Sequence, residues 1–274
     1  MISEALRFAP TLAVLNDVLA ELDELGSAGG GAIDASTRRE ALETFTRFVR
    51  VPQKMPPRWR HAYHALAYDD LMWSTGRARV PALPRYTAAA AGTNGSETDA
   101  PALALENAGG VVHLGSPYLE PARPLGDSRV TLLALADAKR MLRGRSNAIS
   151  ERVAAADTDG FAALACAFQN CGAFVDVPDG VRLDAPLQLV WASRPGEASA
   201  VFSRVVVRVG AGARATIVER HVGSTESFVC GIVEVELSEG AALDYVVVQQ
   251  ADEGARAIVH RSARCAAGAR MGWH

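Results

Sequence analysis

The sequence predicts a mainly β protein with a helical N-terminal region, its β part a parallel β-helix. Three observations carry this. After Gly172 the chain becomes a succession of short segments rich in β-branched residues, separated by Gly or small-residue turns. Two of these turns are near copies, Val209-Gly-Ala-Gly-Ala213 before Ala215-Thr-Ile-Val-Glu219 and Leu237-Ser-Glu-Gly-Ala241 before Leu243-Asp-Tyr-Val-Val247, recurring after 28 residues. No helical pattern longer than a turn separates the segments. That excludes βαβ winding, whose crossovers need roughly a dozen residues or more.

Taken in order, the chain opens with two expected helices. Leu12, Leu15, Leu19, Leu22 and Leu25 recur at three- and four-residue steps and form one apolar stripe that stops at Gly26. Ser27 to Gly31 is a flexible connector. The second helix is expected to begin near Thr37-Arg38-Arg39-Glu40, a capping-box spacing, with Ala41, Phe45 and Phe48 or Val49 facing inward. Pro52, Pro56 and Pro57 forbid regular helix, and Ala88 to Ala102, rich in Ala, Gly, Thr and Ser, reads as an exposed loop.

A short β element is expected at Val111-Val112-His113-Leu114. Helices are expected from about Asp127 to Arg143 and from about Asp157 to Asn170, the latter carrying Phe161, Leu164, Ala165 and Phe168 on one side. Residues 1–170 thus read as a mostly helical region with irregular inserts, and 171–274 as the first rungs of the β-helix. The expected strands are Ala173–Val177, Val181–Leu183, Leu187–Trp191, Arg204–Val209, Ala215–Glu219, Phe228–Leu237, Leu243–Gln249 and Arg256–His260. A β-sandwich is the alternative, but the chain has no Asn-Gly hairpin signal. The continuous runs Val205-Val206-Val207 and Val246-Val247-Val248 fit strands covered on both sides.

Bulk composition narrows the function. Apolar residues make up 49% and charged residues 22%, the balance of a globular protein, and the formal net charge of −3 gives no basic footprint for nucleic acid. The N-terminus lacks a basic segment followed by an unbroken apolar run, since Asp17, Glu21, Asp23 and Glu24 interrupt it. No window approaches the ~18 apolar residues of a membrane span. A cytoplasmic protein is expected.

Cys166, Cys171, Cys230 and Cys265 are widely spread and form no CxxC pair, so neither a disulfide framework nor a metal site follows from spacing. Cys265, with Arg261, Arg264 and Arg270 around it, is the thiol whose ionisation those cations would favour. For all four, packing as small hydrophobes is the simpler expectation. His221, His260 and Cys265 are the candidate metal contacts; His260 with His274 would chelate only from one face, which 14 residues of solenoid do not guarantee. Glu234 and Glu236 share one strand face, as in carbohydrate-cleaving β-helices, yet without supporting Asp or aromatic residues they read as solvent-exposed.

The stretch Phe161-Ala-Ala-Leu-Ala-Cys-Ala-Phe-Gln-Asn-Cys-Gly-Ala-Phe-Val-Asp-Val-Pro-Asp-Gly-Val181, followed by Pro186-Leu187-Gln188, resembles the SufB/SufD signature. In that family a Phe-x-x-Leu-Asn-x-Ala-Phe helix runs into Gly-Ala-Phe, Val-Pro-x-Gly-Val and Pro-(Ile/Leu)-Gln. Ala165 stands where the family usually has Asn. The resemblance extends from about Phe161 to His260 and implies a right-handed parallel β-helix between helical regions. It also implies a non-enzymatic scaffold for iron–sulfur cluster assembly that pairs with a SufB-like paralogue and binds SufC, an ATPase of the ABC type. The cofactor expectation is no permanently bound group, only a transient iron–sulfur cluster in the full complex.

The resemblance places His221 where B-type members commonly have the cysteine of Glu-Gly-Cys. Histidine cannot carry a persulfide, so the chain is expected to belong to the SufD-like branch, with His221 a half-buried turn residue. The family's cluster-related residues and ATPase-binding helices correspond to positions beyond His274, and the β-helix is expected to be incomplete at the C-terminus. An uncapped solenoid exposes a rung of unpaired backbone, so dependence on a partner is expected. A β-helical polysaccharide-acting enzyme and a non-catalytic solenoid are the alternatives.

Overall fold

The computed structural model describes residues 19–20, 35–50, 110–113, 120–121, 127–142, 159–169, 171–192, 199–223, 227–251 and 256–274. The expected helix over Leu12–Leu25 lies outside them except for Leu19 and Ala20, both helical, and the proline-rich and Ala88–Ala102 segments lie wholly outside.

The β-branched segments become strands of two sheets, and the chain alternates between them. One sheet holds β4 (Cys171–Val177), β6 (Ser199–Val209), β8 (Ser227–Leu237) and β10 (Arg256–Cys265). The other holds β5 (Leu187–Ala192), β7 (Arg214–Gly223), β9 (Ala242–Ala251) and β11 (Arg270–Trp273). Neighbours from β4 through β11 are parallel. Each pair, β4 with β5 through β10 with β11, is one rung. Ser199 lies in register with Ser227 and Arg214 with Ala242, so the repeat is 28 residues. The first rung is longer: Cys171 registers with Ser203 and Leu187 with Ile217. This β-helix-like succession bears out the mainly β, parallel reading.

Corners between paired strands repeat four times. Gly180, Gly212, Gly240 and Gly268 all have φ between 65 and 69°. In each corner the residue after the glycine donates its N–H to the carbonyl three residues back, as in Ala213 to Gly210 at 3.1 Å and Ala241 to Ser238 at 3.1 Å. Left-handed backbone at this position is why glycine recurs there. The corners also bond to one another, Gly180 N–H to Ala211 O at 2.8 Å and Gly212 N–H to Glu239 O at 2.9 Å, so the stack has no break in its backbone ladder there.

One end of the stack is closed by antiparallel pairing. Strand β3 (Thr131–Ala134) runs antiparallel to β4. Strand β1 (Gly110–His113) adds parallel to β5 and is itself paired antiparallel with β2 (Glu120–Pro121). Among the described residues, β10 and β11 are the outermost strands on the opposite side of the two sheets.

Inward side chains follow the period of two. Val175, Val177, Val205, Val207, Val233 and Val235 from one sheet meet Leu187, Leu189, Ala215, Ile217, Leu243 and Tyr245 from the other, all buried. Helices cover the outer face of the first sheet. Helix α1 spans Ala35–Arg50, α2 spans Leu135–Met141 and α3 spans Gly160–Phe168. Every residue of α3 is buried, between the sheet and α1.

Two helix expectations need correction. α1 begins at Ala35, so Thr37 sits inside its first turn rather than capping it; Ala41 and Phe45 are buried as expected. The helix expected over Asp127–Arg143 is only Leu135–Met141. Asp127 instead accepts Arg129 N–H at 2.9 Å in a turn, and the β-branched, leucine-rich Thr131–Ala134 is drawn into the ladder with β4. Tertiary pairing overrides local helical periodicity there. The strand expected at Val181–Leu183 is a single bridge, Arg182 to Arg214, because Pro186 soon follows and cannot donate to a ladder. β11 was not anticipated at all.

α3 is fixed at both ends. Asp159 accepts the N–H groups of Phe161 at 2.9 Å and Ala162 at 3.0 Å. At its C-terminus Arg38 of α1 donates to Ala167 O at 2.8 Å and Gln169 O at 2.9 Å, a cation on carbonyls that lack helical partners. Asp159→Ala leaves two buried N–H groups without an acceptor and should cost about 1–2 kcal/mol, read as a lower urea midpoint with unchanged m. An unchanged midpoint would show that the cap is dispensable.

Candidate functional site

Strand β7 carries Ala215, Ile217, Glu219 and His221 on its inward face, so an acid and an imidazole continue a stripe that begins apolar. Glu219 is 1% exposed. A bare carboxylate there would be strongly unfavourable, and donors from four rungs meet it. Trp191 of the first rung donates its indole N–H to Glu219 Oε1 at 2.7 Å. Tyr245 of the third donates its hydroxyl to Oε2 at 3.0 Å. On the same strand, His221 Nε2 lies 3.2 Å from Oε1, and Arg261 of the fourth rung places Nη2 3.6 Å from Oε2. Neither of these last two is an aligned hydrogen bond, and the Arg261 approach is an ion-pair contact.

Burial pushes the Glu219 carboxyl upward, but the contact with His221, the positive charge of Arg261 and the Trp191 N–H outweigh it and hold its pKa below the ordinary value. Burial, then the Glu219 charge, drives the Tyr245 phenol well above its usual range. Both carboxylate oxygens are thus engaged, and Glu219 is not placed as a free base. What the arrangement does is clasp: one anion ties together side chains from all four rungs. His221 Nδ1 and Arg261 Nε are buried without a hydrogen-bond partner among the described residues.

The structure separates the candidates that the sequence offers. His221 is not a half-buried turn histidine: it is 4% exposed and lies within β7, because the strand runs on to Gly223 rather than ending at Glu219. His260 is half-buried on β10 in register with Ile232, on the alternate face from Arg261, so it does not join His221. Cys265 is exposed at the end of β10. His274 approaches Asp244 at 3.3 Å on the surface. Among the described residues no group of three or more His, Cys, Asp or Glu side chains is placed to hold a metal ion.

The other thiols pack inside. Cys230 lies 3.3 Å from Phe161 O and Cys171 3.6 Å from Phe202 O, and burial pushes both far above the ordinary thiol pKa. Burial also raises Cys166, to about 11, against the pull of Arg204 and Arg38. Iodoacetamide at neutral pH should therefore label Cys265 alone in the native chain and all four cysteines after denaturation, counted by intact mass. A second native label would contradict the packing.

Glu234 and Glu236 differ from the expectation of a common solvent-exposed pair. Glu236 is exposed and sits 3.9 Å from Arg208, whereas Glu234 binds the buried guanidinium of Arg204 at 2.7 Å. Sequence reasoning gives Trp191, Tyr245, Arg204 and Arg38 no site role, and takes Arg261 only as a cation near Cys265 rather than as a partner of Glu219. For Trp191 and Tyr245 the signal was present, since each continues the inward alternation of its strand; for the arginines nothing local marks the distant acceptor.

Residues 192–274, the segment from the end of β5 through β11, match a family model described as SUF system FeS cluster assembly, SufBD core domain. Among curated proteins, none matches the chain. No helix among the described residues is long and apolar enough to cross a membrane.

Proposed function

We propose that this chain is a scaffold subunit of the SufB/SufD type in iron–sulfur cluster assembly, of the SufD-like branch, built on a right-handed β-helix and acting without catalysis of its own. The observation that carries the reading is the SufBD core match, which falls on the 28-residue parallel repeat. The site agrees with it. Glu219 is saturated by donors, and Glu234 is engaged by Arg204, so neither is free for acid–base work. His221 occupies the position at which a sulfur acceptor would need a thiol. A rigid two-sheet body with a continuous corner ladder suits a docking surface better than a moving active site.

Its partners in this reading are a SufB-like paralogue and a SufC-like ABC ATPase, with the cluster a transient cargo. The test is co-expression of the tagged chain with both proteins, followed by affinity purification and reconstitution with ferrous iron and sulfide. Co-elution of both partners and a cluster absorption band in the purified complex are expected. Elution of the tagged chain alone would overturn the proposal.

A further inference from the structure

Three oxidisable rings meet around the Glu219 carboxylate in a row that crosses the rungs. Trp273 of β11 lies in register with Tyr245 of β9, and their rings are tilted at 53° with centroids 5.0 Å apart. Tyr245 is fully buried and donates its hydroxyl to Glu219 Oε2 at 3.0 Å. Trp191 of β5 donates its indole N–H to the other oxygen of the same carboxylate at 2.7 Å.

Removing one electron from a phenol turns its hydroxyl into a strong acid. In an apolar interior with no proton acceptor, that would leave an unpaired buried cation, which is costly enough to block the oxidation. Glu219 lifts the block. It is held ionised by His221, Arg261 and Trp191, and it stands within hydrogen-bond reach of the phenolic proton, the geometry that proton transfer requires. Tyr245 keeps its proton until then, because burial and then the Glu219 charge push its pKa well above the usual range. Electron and proton must therefore leave together.

From this geometry we propose that Tyr245 is a one-electron redox site, oxidised through Trp273 with Glu219 as its proton acceptor. An oxidising radical takes one electron from the Trp273 indole and is reduced to its anion. The indole recovers an electron from Tyr245, together with a proton from water where it has released its own. Tyr245 passes its hydroxyl proton to Glu219 Oε2 and becomes a neutral phenoxyl radical, so the interior gains no unpaired cation. A thiol or ascorbate that returns one electron lets the proton travel back along the same hydrogen bond. The pair is a reversible sink for radical oxidation. The inference rests on ring contact and hydrogen bonding, and stands whether or not the chain serves in cluster assembly.

The test is pulse radiolysis of the full chain with azide radicals, which attack indoles first. Indole-radical absorbance should decay as phenoxyl absorbance rises, in a phase whose rate is independent of protein concentration. Tyr245→Phe and, separately, Trp273→Phe should each remove that phase. Glu219→Gln keeps the volume but is a far poorer base, and should slow it by about tenfold or more. The native chain in heavy water should show a slower rise, because a proton moves with the electron. Near-ultraviolet circular dichroism checks that each variant is folded, and if one is not, the others and the heavy-water comparison decide. Absence of the phase in the native chain, its survival in either Phe variant, or a rise unchanged by heavy water or by Glu219→Gln would each overturn the proposal.

Discussion

Glu219→Ala should lower the folding free energy by about 3–5 kcal/mol, because it strands the Trp191 N–H, the Tyr245 hydroxyl, the His221 ring and the Arg261 guanidinium in the interior. The loss is larger than that of a typical core truncation because the donors come from separate rungs and cannot collapse onto one another. Glu219→Gln keeps an acceptor but removes the charge, and should fall between the two. Urea unfolding at neutral pH reads the difference; a cost under about 1 kcal/mol would mean that the donors are satisfied elsewhere.

The same carboxylate gives an acid signature with a definite sign. Its folded pKa is lowered from the ordinary value of 4.5, so the native state binds the proton less readily than the unfolded chain. Its ionic contribution is fully present above that ordinary value and is lost as pH falls through the lower folded one. The stability gap between the native protein and Glu219→Gln should therefore be present above about pH 5 and close below about pH 4. A gap that widened on acidification would contradict the lowered pKa.

The second large effect lies on the outer face. Phe168 is 1% exposed and its ring meets Phe202 of β6 at 5.6 Å, pinning the last turn of α3 to the sheet. Phe168→Ala should cost about 3–5 kcal/mol, while Phe168→Leu, which keeps most of the volume, should cost less than about 2 kcal/mol. Equal losses for both would indicate that ring stacking rather than filled volume holds the helix.

Much of the β architecture was legible because its determinants are local and periodic. The Gly-Ala corners at Gly212 and Gly240 needed a left-handed residue at a fixed place, and the repeat between them set the rung length. The same pattern was present in Val177-Pro-Asp-Gly-Val181, disguised by the longer first rung, and in Cys265-Ala-Ala-Gly-Ala269, whose recognition would have revealed β11. β3 was hidden for a different reason: Thr131–Ala134 has no strand signal strong enough to outweigh helical spacing, and β4 supplies the pairing. At the site, Glu219 and His221 stood on an apolar alternation and could be found. Arg261 could not, since its partner is 42 positions away and meets it only when rungs stack. Arg38 is likewise explained only by α3 lying beside α1, where its guanidinium replaces the missing cation at the helix end.

Parallel stacking of the rungs underlies the Glu219 clasp and the ladder of glycine corners alike. It is tested most directly by spin labels at Arg208 and Arg264 in a Cys265→Ser background, two positions on alternate strands of one sheet that share a register column. Two strand spacings put them about 10 Å apart, so strong dipolar broadening of the continuous-wave spectrum is the expected result. A spectrum that equals the sum of the two single labels, placing them beyond about 20 Å, would mean that β6, β8 and β10 are not stacked in parallel, since three adjacent strands span only about 10 Å.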